Sequence, residues 1–95
     1  MSDIKAIFKY SNQFGRRYSS GIRPAVLIKE NYLTTCLLTF DELSDSEEFE
    51  VEGVFISPKY YPHSLWIGKV LDAYEGSKII GHLTVTEILN PILIK

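Results

Sequence analysis

The sequence predicts an all-β chain, a small antiparallel barrel or sandwich of six strands, and three observations carry the prediction. Most stretches that hold apolar residues alternate them with polar ones at a period of two, the mark of a strand with one wetted face. No stretch of ten or more residues keeps a helical period; the best candidate for a single helical turn lies within 41–48. Six tyrosines, five phenylalanines and one tryptophan join abundant Ile, Val and Thr, whose branched or planar side chains suit a pleated surface.

Each element follows in order. Ile4, Ala6, Phe8 and Tyr10 alternate with Lys5 and Lys9, which gives a first strand over 3–10. Residues 11–21 hold Ser, Asn, Gly and Arg with no apolar period and form an exposed loop, in which Gly15 and Gly21 permit backbone angles that other residues resist. Pro24, which has no N–H to donate, suits the first position of a second strand through Ala25, Val26, Leu27 and Ile28. Lys29-Glu30-Asn31 turns the chain, and 32–40 returns as a third strand rich in β-formers. Five carboxylates in the eight residues 41–48 cannot bury themselves, so this segment is an acidic loop.

Phe49, Val51 and Phe55 alternate with Glu50 and Glu52 in a fourth strand, where Gly53 marks a bulge or a close backbone approach. Pro58 and Pro62 exclude a central strand between Ser57 and His63 and make that stretch an aromatic loop. A fifth strand is expected over 65–74, with Leu65, Ile67, Leu71 and Ala73 on one face and Trp66, Val70 and Tyr74 on the other. Glu75-Gly76-Ser77 makes a tight turn, Lys78 to Ile88 is a long sixth strand, and Asn90-Pro91 ends it. Six strands with polar turns at this spacing are expected to form one domain over 1–95.

Composition narrows the function. An apolar share of 45 % with 23 % charged residues belongs to a chain that folds by itself and argues against disorder. A net charge of −2 argues against a surface that is everywhere a phosphate-binding field, though a local basic face remains compatible with it. Cys36 is the only cysteine, which excludes an intrachain disulfide and a cysteine zinc cage and fits a reducing compartment. No apolar run approaches the roughly 18 residues of a membrane span, and Met1 to Lys5 do not open a leader, so cytoplasmic residence is expected.

Two segments carry a resemblance. The run from Gly15 to Pro24, with Gly15-Arg16 and Ser20-Gly21-Ile22-Arg23-Pro24, resembles the signature of the C-terminal (third) barrel domain of translation elongation factor Tu. Residues 75–88, with Glu75-Gly76 ahead of Ile80-Gly81, resemble that domain's closing hairpin and terminal strand. The resemblance implies a closed six-stranded antiparallel barrel that binds no nucleotide, packs against other domains and touches the backbone of aminoacyl-tRNA. It also implies that Arg16 and Arg17 match the loop approaching tRNA, that Ser19 lies near a contacting hydroxyl, and that Gly76, Ser77 and Lys78 form the hairpin tip on the same side. The chain has no Gly-x-x-x-x-Gly-Lys-Ser/Thr loop to cradle phosphates, so the binding part would stand without a GTPase.

The candidate binding set is therefore Arg16, Arg17, Ser19, Arg23, Gly76, Ser77 and Lys78. Arginine forks suit phosphate or carboxylate; the competing reading makes the loop arginines solvated charges and gives Arg23 a structural bond. A second candidate is an aromatic surface of Tyr60, Tyr61, His63 and Trp66, set against plain packing over one mouth of the barrel. His63 and His82 have no ligand-spaced cysteine or carboxylate in sequence, so no metal or other cofactor is expected, and Cys36 in an apolar strand reads as a small buried hydrophobe.

These residues point to a non-enzymatic binding module of the translation machinery, with a protein partner favoured over tRNA or another structured RNA by the charge balance. Two alternatives stand beside it: a small-molecule pocket at the aromatic mouth, and an immunity or antitoxin-type protein that uses the acidic 41–48 loop against a basic partner.

Overall fold

The computed structural model describes residues 2–10, 19–41 and 48–95. Six strands, β1 (Ile4–Tyr10), β2 (Ala25–Lys29), β3 (Tyr32–Phe40), β4 (Glu48–Phe55), β5 (Val70–Glu75) and β6 (Lys78–Ile88), close into a barrel in the order β1-β4-β3-β2-β5-β6, every pair antiparallel. Two single turns of 3-10 helix, Pro58–Tyr60 and Pro91–Leu93, lie outside the wall. The helical turn considered within 41–48 falls largely on 42–47, outside the described residues.

The period of two in the sequence becomes inside and outside of the wall. Ile4, Ala6 and Phe8 of β1, Val26 and Ile28 of β2, Cys36 and Leu38 of β3, Val51 and Phe55 of β4, Leu71 and Ala73 of β5, and Leu83 and Val85 of β6 all point inward and are buried. A six-stranded barrel is narrow, and its interior is taken up by these side chains. Space is tight at two glycines, most of all where backbone is the neighbour. A Cβ on Gly81 would sit 2.5 Å from the Lys9 carbonyl oxygen and 2.6 Å from the Phe8 ring, and one on Gly53 would meet Cys36 Sγ at 2.9 Å. The sequence suggested a bulge or a close backbone approach at Gly53; what comes close there is the side chains of Cys36 and Ile4.

The register fixes what each end of the barrel carries. Tyr10 stands opposite Gly81, Lys9 opposite Glu48, Ala25 opposite Tyr74 and Glu75 opposite Lys78. Both ends of the β1–β2 connection, both ends of the β3–β4 connection and the β5–β6 hairpin therefore share one rim, called here the hairpin rim. The opposite, plugged end carries the β2–β3 turn, the 56–69 connection and residues 89–95.

One expectation for the wall is corrected. The fifth strand does not run from residue 65; β5 begins at Val70. Leu65 is buried through a parallel bridge to Ile94, while Trp66 and Ile67 lie in a turn and are exposed. The turn closes at Gly68, whose φ of 92° is left-handed. Its N–H donates to the Val85 carbonyl, which holds the turn on β6. Alternation over 65–74 looked continuous because a turn of this length returns the chain in phase.

Candidate functional site

At the hairpin rim the chain between Ser20 and Pro24 is drawn along β3. Ser20 Oγ accepts from the Phe40 N–H at 2.9 Å, Gly21 N–H donates to Leu38 O at 2.8 Å, and Leu38 N–H donates to Ile22 O at 2.9 Å. Pro24 has no donor, yet its carbonyl accepts from Cys36 N–H at 3.1 Å, so pairing with β3 continues past the proline. This anchoring carries Arg23 outward, exposed, toward the β5–β6 hairpin.

That hairpin is a two-residue turn. Gly76 at φ 64° with Ser77 outside the positive-φ set gives the sign pattern of a II′ turn, whose twist suits the flanking strands. Ile22, Arg23 and Pro24 on one side and Tyr74, Glu75 and Gly76 on the other enclose an open cleft of about 390 Å³. The structure thus brings together Arg23 and Gly76 of the predicted set. Lys78 sits opposite Glu75 at the same hairpin, and Ser19 is exposed at the start of the described part of the connection. Arg16 and Arg17 lie outside the described residues.

Beneath the rim an aromatic cluster fills the barrel: Phe49 packs on Phe40 at 4.9 Å, on Phe8 at 5.6 Å and on Tyr10 at 5.7 Å between ring centroids. The wall next to it is acidic. Glu48, Glu50 and Glu52 are exposed along β4, with Asp41 at the end of β3, and Lys9 and Lys5 of β1 stand opposite Glu48 and Glu52. Lys5 also pairs with Glu87 at 3.9 Å, half-exposed on both sides.

The aromatic set divides at the opposite end. Tyr61 is not surface: it is 1 % exposed and seals the barrel, its ring 5.5 Å from that of Tyr32 and 6.0 Å from that of Phe55. Its hydroxyl donates to the Ile56 carbonyl and is bonded to Thr34 Oγ1 at 3.0 Å, which satisfies a polar group inside an apolar site. Burial pushes the Tyr61 phenol above its ordinary range, the Thr34 bond working against that rise. The correction has a simple cause. In a loop pinned between Pro58 and Pro62, nothing in the sequence decides which of two adjacent tyrosines turns inward.

Tyr60, His63 and Trp66 do face solvent there. His63 holds a left-handed backbone, φ 58°, secured by its N–H on Ile92 O and by Nδ1 on Ile94 O, both at 2.8 Å. A carbonyl only accepts, so Nδ1 donates in the bond to Ile94 O.

Sequence reasoning missed the lysines around this group. Lys69 reaches under the rim to donate to Ile28 O and Ser64 O, each at 2.7 Å, and its ammonium lies 4.5 Å from the centre of the Trp66 ring, with that of Lys95 at 4.9 Å. Burial, then the nearby Lys95 and Lys29, hold Lys69 below the ordinary lysine range. Pro62, His63, Trp66, Lys29, Lys69 and Lys95 contribute to an open groove of about 510 Å³, in which Glu30 is the one acidic side chain. Residues 29, 69 and 95 are far apart in sequence, and no local motif announces their meeting.

His82 gains a partner that spacing along the chain had hidden. β5–β6 pairing sets Asp72 opposite it, and Nδ1 donates to Asp72 Oδ1 at 2.9 Å on the outer wall. Among the described residues no three of His, Cys, Asp and Glu gather as metal ligands, and no helix is long and apolar enough to cross a membrane. No protein-family model and no curated protein matches this chain.

Proposed function

We propose that this protein is a non-enzymatic binding module, similar to the third domain of elongation factor Tu, that engages a protein of the translation machinery through its hairpin rim. The observation that supports it best is the cleft in which Arg23 and the Gly76 turn face each other, since a rigid wall holding a short exposed arginine segment beside a tight hairpin is a recognition surface. Interior side chains fill the barrel, which speaks for contact at its surface over a ligand taken inside.

Charge favours protein over RNA at this rim. Both ends of the 41–48 segment, with Asp41 and Glu48, are on the same rim as Arg23, and the adjoining β4 wall is lined by glutamates. An RNA backbone brought against that rim meets repulsion beside its arginine contacts.

The test is capture of purified translation factors and ribosomal proteins by the immobilised chain, compared with an Arg16→Glu, Arg17→Glu, Arg23→Glu variant of unchanged melting temperature. Binding by the parent that the variant loses supports the proposal. Capture by both alike overturns it, as does selective retention of tRNA with affinity falling steeply as salt rises.

A further inference from the structure

The plugged end has a character of its own. Nine large apolar side chains are exposed among the described residues, and all nine lie in the half of the barrel toward this end; they include Tyr60, Trp66, Ile67, Val70, Ile92 and Ile94. Ile67 is 62 % and Val70 56 % exposed, more than single surface hydrophobes scattered at random would concentrate in one place. Lysines surround them: Lys69 and Lys95 on Trp66, Lys29 over Tyr32 at 5.5 Å, and Lys59 over Tyr60 at 5.4 Å.

We propose that this end is a second docking surface, and that its occupant is a protein segment presenting carboxylates beside aliphatic or aromatic side chains. The groove supplies both halves of that match. Its charged side chains are Lys29, Lys69 and Lys95 against Glu30, a surplus of cationic side chains that a carboxylate relieves, while Val70 and the edge of Trp66 offer apolar contact. Lys69 is already oriented by two carbonyls, so little freedom is lost when it meets an anion. Trp66 is half-exposed, the kind of large amphipathic ring that anchors protein interfaces.

A nucleic acid fits less well. Stacking a base needs an open aromatic face, and two ammonium groups lie within 5 Å of the Trp66 centroid. The exposed isoleucines have no counterpart on a sugar-phosphate chain. A lipid surface would meet the net charge of −2 of the whole molecule.

Trp66 is the only tryptophan, so its fluorescence reads this groove alone. The experiment titrates the protein with a short synthetic peptide alternating glutamate with leucine and phenylalanine, and with the same peptide carrying glutamine for glutamate. The glutamate peptide should shift Trp66 emission. Affinity should fall about tenfold or more with the glutamine peptide, and to a similar extent in a Lys29→Glu, Lys95→Glu variant that melts like the parent. Arg23→Glu, at the other rim, should leave the titration unchanged, so loss of the hairpin-rim reading would not touch this one. The inference is overturned by the absence of any peptide response, by equal binding of the glutamine peptide, by indifference to the lysine reversals, or by equal weakening in Arg23→Glu. It is also overturned if polyuridylate or phosphatidylserine vesicles shift Trp66 emission under conditions where the peptide does not.

Discussion

The two ends of the barrel are both closed by aromatic rings, but by different means. At the hairpin rim Phe8, Tyr10, Phe40 and Phe49 all come from the strands themselves, so the closure is a by-product of alternation. At the other end Tyr61 comes from a connection, and its place depends on two hydrogen bonds and on the proline-bounded turn that delivers it. A strand-derived closure is specified locally. A loop-derived stopper is specified by what it finds inside, and its loop then leaves Tyr60, His63 and Trp66 outside as a surface.

That contrast is open to mutation. The largest effect is expected from Tyr61→Ala, which empties a fully buried aromatic site and strips Thr34 of its partner; denaturant unfolding should lose about 3–5 kcal/mol. Phe49→Ala, which removes a half-buried ring at the hairpin rim, should lose clearly less. Equal losses would erase the distinction between the ends.

Gly81→Val tests the tightness of the wall near the hairpin rim. The added carbons meet the Lys9 carbonyl and the Phe8 ring, neither of which can swing aside, and stability should drop by about 1–3 kcal/mol. A variant as stable as the parent would mean that β1 and β6 yield there.

Alkaline pH probes the interior between the two closures. Burial, reinforced by Asp3, pushes the Cys36 thiol from 9.0 up to about 12, so between these values the unfolded chain has released a proton that the barrel retains. Stability should then fall as pH rises from about 9 toward 12, because the folded state binds more protons across that window. The raised Tyr61 phenol acts with the same sign, and the lowered Lys69 against it. Cys36→Ala should flatten the slope, and the native thiol should resist alkylation until the protein unfolds. Rapid alkylation at neutral pH would show the core to be open.

The smallest effect belongs to the outer wall. Asp72→Asn removes the charged partner of His82, a pair at about 40 % side-chain exposure, and should change stability by less than about 1 kcal/mol. A larger loss would mean that the wall pairing contributes as much as the stoppers do.

Five of the six strands were legible in the sequence to within a residue at either end: β1 and β4 through the period of two, β2 through Pro24 and the apolar run behind it, β3 and β6 through their β-formers and the turns that bound them. β5 was misjudged at its start, where a turn at Trp66–Gly68 preserved the phase of the alternation. The hairpin tip was legible because glycine and a polar neighbour between two β-branched runs leave few alternatives. Only the resemblance set the arginine loop and the Gly76 turn on one side; what joins Arg23 and Gly76 across a cleft is β2 pairing with β5, a contact between residues some fifty positions apart.

By itself the sequence determined five of the six strands and the polar turns that bound them, since these follow from local chemistry and the pleat. Tertiary structure alone decided which tyrosine became a stopper, which carboxylate faced His82, and that lysines 29, 69 and 95 would converge on Trp66. The physical reason is closure: once the sheet curls until β6 meets β1, side chains far apart along the chain are forced to one rim or the other, and no local pattern encodes which.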